Sequence, residues 1–149
     1  MSVDESSQPL ATASTENKIL LGEAVPAKKM LAACILGYCI PGVGHLLLGK
    51  YFRGSLFLLL IFAMFFLGLA MKGQIYYPSR EDLFSIFPSF ANVGVGLAYF
   101  VCLLRGIGVG SFQAAAATFE YGNTFLWTAG LLNYLVVLDA YDIAIGRKR

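Results

Sequence analysis

Apolar residues recur in four long stretches of this chain, and most charged residues fall between them. The stretches run over residues 30–49, 54–71, 89–110 and 124–146. A helix needs about 20 apolar residues to cross the hydrocarbon core of a bilayer, and each stretch has about that length. The pattern predicts an all-α membrane protein, a bundle of about four transmembrane helices.

The first stretch, MLAACILGYCIPGVGHLLLG, is the least regular, because Pro41 and four glycines interrupt it. Proline removes a backbone donor and clashes with the preceding turn, so the helix should kink or break at this point. A crossing helix kinked at Pro41 is favoured, since non-helical backbone in lipid must be covered by protein. The alternative is a short helix to Ile40, followed by a tight turn and an interfacial stretch to Lys50.

Residues 1–27 differ from the rest of the chain. They are rich in Ser, Thr, Ala and acidic residues and have no sustained apolar period, which predicts a disordered polar tail. They lack the basic segment followed by an apolar core that marks a secretory signal peptide. The domain organisation predicted is therefore a tail over 1–27 and a transmembrane domain over 28–149.

The basic residues predict the orientation of the four helices, because Lys and Arg concentrate on the cytoplasmic side of a membrane. With the N-terminus inside, only Lys50 and Arg53 lie outside. The C-terminus then also lies in the cytoplasm. The basic residues predicted to be cytoplasmic are Lys18, Lys28, Lys29, Lys72, Arg80, Arg147, Lys148 and Arg149.

Composition narrows the classes of function. Hydrophobic residues make up 58% of the chain and charged residues 13%, against about 25% charged in soluble domains. A net charge of +2 with no basic stripe argues against a nucleic-acid partner and leaves membrane lipids as the expected partner. The three cysteines form no CxxC pair, so neither a redox motif nor a zinc site is indicated. No cofactor is predicted.

Four charged or titratable residues inside the apolar stretches are candidates for polar pairing. Asp139 and Asp142 are three apart and share a helix face, where they could form structural ion pairs or handle protons or ions. Arg105 could anchor at an interface or meet His45. His45 is the only histidine, which excludes a site built from several histidines. No nucleophile with a base, phosphate loop or metal cluster emerges, so an enzyme is not predicted.

Small and polar residues suggest how the helices pack. Gly106 and Gly110 have GxxxG spacing, which lets two helices approach closely. Asn133, in the middle of the fourth stretch, could form hydrogen bonds across helices. Both features are compatible with packing inside the bundle or with a surface for another subunit.

The segment ILGYCIPGVGHLLLGKYFRGSLFLLL resembles the two-transmembrane-helix domain family. The matching pattern is G-x-G-H-x-x-x-L-G-x-x-x-x-G, formed by Gly42, Gly44, His45, Leu48, Gly49 and Gly54. The Asp-Arg-Phe signature of that family is absent, and two further predicted helices follow. Together with the ending NTFLWTAGLLNYLVVLDAYDIAIGRK, residues 28–148 resemble small uncharacterised bacterial membrane proteins. This resemblance implies an α-helical fold in a bacterial inner membrane and no assigned activity.

Two hypotheses for function follow. The first is a non-enzymatic accessory or scaffold subunit that packs through its glycine faces against a larger membrane complex or a second copy. The second is a small oligomeric transport or lipid-handling protein, in which Asp139, Asp142 and Arg105 line a polar path.

Overall fold

The computed structural model describes residues 25–78, 85–110 and 117–148. Within these ranges every regular element is a helix and no strand is present, so the all-α prediction is confirmed for them. The predicted tail over 1–27 lies almost wholly outside the described residues. The helices are α1 (Ala27–Cys39), α2 (Val43–Leu47), α3 (Tyr51–Ala70), α4 (Ile86–Val93), α5 (Leu97–Arg105) and α6 (Phe119–Ala144).

Two long antiparallel helices, α3 and α6, form the frame. Gly68 near the end of α3 packs against Gly122 near the start of α6. Of the described helices, only α3 is long and apolar enough to cross a membrane as a single helix. α6 spans about 39 Å at 1.5 Å per residue but carries asparagine and aspartate. We call the end where α6 finishes the C-terminal end of the bundle, and the other the opposite end.

α1 and α2 form a hairpin that enters from the C-terminal end and returns to it. The Val25 amide donates to the carbonyl of Ala144, and the carbonyl of Tyr38 is reached by Asn133, midway along α6. The chain then reverses at Gly42 (φ 82°), and Gly44 packs so closely on α1 that a Cβ would lie 2.5 Å from the carbonyl oxygen of Ala33.

The prediction of a single first helix kinked at Pro41 is therefore wrong. The helix ends at Cys39, and the chain folds back as in the alternative of a short helix and a turn. Pro41 prevents helix continuation, and glycine at 42 supplies the left-handed conformation that the turn needs.

α4 and α5 form a second hairpin, bent by 116°, which enters from the opposite end. Gly94 lies against the backbone of Gly130, near the middle of α6, and Gly96 reverses the chain with φ 75°. The return is fixed at the opposite end, where the Ile75 amide donates to the Gly108 carbonyl over 2.7 Å.

The predicted third span over 89–110 is thus two half-length helices, and the four-span bundle is not confirmed. Together with the first hairpin, this leaves two of the four apolar stretches folded as hairpins rather than as straight helices.

The two hairpin tips meet beside the midpoint of α6. The Tyr38 hydroxyl of the first tip donates to the carbonyl of Val93 in the second over 3.0 Å. The amide of Asn133, which is fully buried, donates to the carbonyls of both Tyr38 (3.1 Å) and Gly94 (2.9 Å). One side chain thus satisfies backbone oxygens of both broken helices.

This topology corrects the predicted distribution of charge. α3 begins at the C-terminal end, so Lys50 and Arg53 lie with Arg147 and Lys148 rather than across from them, and Lys72 lies at the opposite end. Val25 and Ala144, near the two termini of the described chain, share the C-terminal end. The described basic residues at that end are Lys28, Lys29, Lys50, Arg53, Arg147 and Lys148, and those at the opposite end are Lys72 and Arg105.

Candidate functional site

His45 lies on α2 and is completely buried. The hairpin turn brings it against α6, where its Nε2 is 2.9 Å from Oδ2 of Asp139. Because an ionised carboxylate only accepts hydrogen bonds, this contact places a proton on Nε2. The ring packs edge-on against Phe57 of α3, with centroids 5.1 Å apart. Its Nδ1 is buried and has no hydrogen-bond partner among the described residues.

Asp139 links the buried histidine to an exposed lysine. Its Oδ1 accepts a hydrogen bond of 2.6 Å from Nζ of Lys148, whose side chain is 54% exposed. The hydrogen bond to the Asp139 carboxylate raises the pKa of the Lys148 ammonium. The guanidinium of Arg53 opposes this rise in the pKa of Lys148 as a smaller effect.

The end of α6 explains how Lys148 reaches Asp139. Gly146 adopts φ 78°, its amide donates to the Ile143 carbonyl, and the Arg147 amide donates to the Asp142 carbonyl over 2.9 Å. This is a Schellman motif, in which glycine in the left-handed conformation ends the helix and turns the chain back over it. The lysine therefore folds back over the last turns of α6.

Asp142 has a weaker partner than Asp139. Its closest ion pair is with Arg147, at 3.8 Å, and the arginine side chain is 72% exposed. At that distance and exposure the pair contributes little to stability. Asp142 thus remains open to a further partner at the surface.

These charged residues line one end of an open groove of about 400 Å³ on the surface of α6. The groove follows α6 from its midpoint to its end, about 15 Å at 1.5 Å per residue. The half of the groove toward the midpoint of α6 is mainly apolar, and the half toward the end of α6 is charged. The lining residues are Phe57, Leu132, Leu135, Val136, Leu138, Asp139, Asp142 and Lys148.

The other predicted site residues lie elsewhere. Arg105 is the last residue of α5 and is exposed at the opposite end, far from His45 and Asp139. The predicted GxxxG helix packing of Gly106 and Gly110 requires both residues to lie in a helix. Both instead follow the end of α5 and have φ of 66° and 117°. Gly106 ends the helix instead of packing on another.

Other glycines, which the sequence pattern did not indicate, bring distant segments into close contact. A Cβ on Gly130 would lie 1.7 Å from the Ala91 carbonyl oxygen, and one on Gly122 would lie 2.5 Å from the amide of Gly73. These contacts join segments distant in sequence, so no local spacing marks them. Lys148 was also missed as a partner of Asp139, since the terminal basic residues were used only to predict the orientation of the helices.

The described residues hold no group of three or more His, Cys, Asp or Glu that could bind a metal ion. Cys34, Cys39 and Cys102 are free thiols. The site therefore consists of Asp139 in contact with both His45 and Lys148, of Asp142, and of the apolar residues that line the rest of the groove.

Fold and site together define a small all-α protein with one helix apolar enough to cross a membrane and a half-apolar, half-charged groove along another. The chain matches the model of DUF6677, a family of unknown function, over residues 32–149, and it belongs to that family. No curated protein and no solved structure matches it.

Proposed function

We propose that this is an integral membrane protein in which α3 and α6 cross the bilayer and the two hairpins enter it from opposite sides. The observation that carries this is the surface of α3, a 20-residue apolar helix of which only 22% is buried in the protein. In water such a surface would drive association. The hairpin tips suit a bilayer because their non-helical backbone is covered by α6 and by each other.

The distribution of charge supports a cytoplasmic C-terminal end. Six described basic residues lie at that end and two at the opposite end, which follows the positive-inside rule. The N- and C-termini are then both cytoplasmic, in the inner membrane of a bacterium. Resistance to carbonate extraction tests membrane insertion, and labelling of single cysteines placed at positions 50 and 72 tests the orientation. Labelling of position 72 from the cytoplasm would contradict it.

We further propose that the protein binds a membrane lipid in the groove along α6 and performs no catalysis. The apolar half of the groove lies at mid-height of α6 and the charged half at its end. A lipid has the same order, with acyl chains deep and a polar headgroup at the surface. Leu135 is 61% exposed in this groove, so its face of α6 is free to contact a chain.

Filling the groove tests this function. Leu135→Trp should reduce the lipid retained by the purified protein, measured as phosphorus per protein after detergent washing. Leu31→Trp is the matched control, since Leu31 is 59% exposed on α1 and does not line the groove. Equal lipid retention by both variants and the unmodified protein would contradict lipid binding in the groove.

A non-enzymatic accessory subunit is the second candidate, favoured by an apolar and largely exposed face on α3. It is formed by Leu56, Leu59, Leu60, Ala63, Met64 and Leu67. The glycines do not support this candidate, because those in close contact pack inside the bundle. The mass of the particle isolated in mild detergent distinguishes the two. A stoichiometric partner chain would favour the accessory subunit, and a particle of this chain with lipid alone would exclude it.

A further inference from the structure

The charged half of the groove carries both signs of charge in fixed positions, which constrains the lipid it can hold. This inference rests on the proposed insertion in a membrane and on the groove as a lipid site. We propose that the groove selects a glycerophospholipid whose headgroup carries a phosphate and a primary ammonium, with the phosphate on Lys148 and the ammonium on Asp142.

Lys148 is suited to the phosphate. Its ammonium has three donors, and the contact with Asp139 uses one of them. The side chain is about half exposed and lines the groove at its charged end. A phosphate oxygen can therefore accept a hydrogen bond from Lys148 without breaking the pair with Asp139.

Asp139 holds the lysine in place and is not itself free for the headgroup. One of its oxygens faces the buried His45 at 2.9 Å and the other faces Lys148 at 2.6 Å. The buried ring cannot leave its position on α2, so the carboxylate has a fixed orientation. His45 and Asp139 are thus positioning residues that act through Lys148.

Asp142 is suited to the ammonium. It lies one helical turn beyond Asp139 on the same face of α6 and lines the same groove. Its pair with Arg147 spans 3.8 Å, so its oxygens can accept short hydrogen bonds from another cation. A primary ammonium donates such bonds, whereas a quaternary ammonium has no N–H to donate.

The placement of charge in the groove disfavours a headgroup that is only anionic. The lining residues comprise two carboxylates, Asp139 and Asp142, and one ammonium, Lys148. A lipid with a net negative headgroup would gain the contact with Lys148 but would meet the carboxylate of Asp142. A zwitterionic headgroup with an exposed ammonium complements both signs.

The depth of the groove supports the same occupant. Leu132, at the deep end, lies about 15 Å along the helix from Asp142, at 1.5 Å per residue. This length accommodates a glycerol backbone and the upper part of one acyl chain below the headgroup. The lipid would belong to the leaflet at the C-terminal end.

The test is native mass spectrometry of the full-length, delipidated protein with an equimolar mixture of phosphatidylethanolamine, phosphatidylcholine and phosphatidylglycerol of identical acyl chains. We expect phosphatidylethanolamine to be preferred about two- to fivefold, the effect of one exposed ion pair. Asp142→Asn should abolish the preference over phosphatidylglycerol, and Lys148→Gln should weaken binding of all three. Matched controls are Glu120→Gln, on α6 at the opposite end, and Lys29→Gln, which is exposed on α1 and does not line the groove. Both should keep the preference.

The outcomes separate this proposal from the proposed function. If Leu135→Trp lowers lipid retention but the three lipids bind equally, the groove binds lipid and the headgroup selection is overturned. Loss of the preference in both control variants as well would also overturn it. If the unmodified protein retains no lipid, the proposed function itself fails. Fluorescence of Trp127, the only tryptophan of the unmodified protein, checks that each charge variant is folded.

Discussion

Asn133→Leu should destabilise the fold by disconnecting the two hairpin tips from α6. The asparagine is fully buried and donates hydrogen bonds to the carbonyls of Tyr38 and Gly94. Leucine has nearly the same size but no donor, so both carbonyl oxygens lose this bond. Because each belongs to a different hairpin, one substitution perturbs both halves of the structure.

The magnitude follows from two opposing effects. A buried carbonyl left without a partner costs about 1–3 kcal/mol, or about 2–6 kcal/mol for two. Oδ1 of Asn133 is already buried without a partner among the described residues, so its removal offsets about 1–3 kcal/mol. We expect a net loss of about 1–3 kcal/mol.

Unfolding in mixed micelles with increasing SDS measures this loss. Trp127, on α6 near Tyr76 and Phe87, supplies the fluorescence signal. Thr128→Val is the control, since the Thr128 hydroxyl bonds only to the carbonyl of Thr124 in its own helix among the described contacts. It should change the unfolding free energy by less than about 0.5 kcal/mol. A change for Asn133→Leu no greater than that of the control would refute the role given to this residue.

Two further predictions concern backbone contact and ionisation. Gly130→Ala should prevent folding, because its Cβ would lie 1.7 Å from the carbonyl oxygen of Ala91. Gly49→Ala is the control, since its Cβ would meet no atom within 4 Å. It should lower the free energy of unfolding by only about 1 kcal/mol, because of its positive φ. Measured yields of folded protein after detergent extraction should fall for Gly130→Ala only, and comparable yields would contradict the close approach. The ion pair of Lys148 with Asp139 raises the pKa of the lysine, so it stabilises the fold below the ordinary lysine pKa and is lost as pH rises through the raised value. The acetylation rate of Lys148 should be measured against pH. In Asp139→Asn the midpoint of this profile should move to lower pH, and identical profiles in both proteins would contradict the ion pair.

The helical character and the ends of most elements follow from local rules that can be read in the sequence. Residues 54–71 are uncharged and mostly apolar, and all but the last of them fall within α3. Gly146 followed by Arg147 predicts a helix stop, and α6 ends two residues before the glycine. Asp139 and Asp142 are three apart in the sequence, which determines that they share a helix face. These features depend on residues within a few positions of each other.

The reversals of the two hairpins could not be predicted in the same way. Pro41 permits either a kink or a break, and the choice depends on whether another element can satisfy the exposed backbone. Asn133 does so from α6, 95 residues beyond Tyr38. The kinked crossing was favoured because non-helical backbone in lipid must be covered by protein, and the sequence alone does not show that Asn133 covers it.

The sequence by itself determined an all-helical chain with a high apolar content, and it singled out His45 and Asp139 as polar residues in apolar surroundings. Only the tertiary structure decided that these two residues meet and that Lys148 joins them. The physical reason is that hydrophobic burial is non-directional, so periodicity reports which residues avoid water but not which neighbour covers them. Partners are chosen by directional hydrogen bonds and by glycine contacts between distant segments, and those exist only once the chain has folded back on itself.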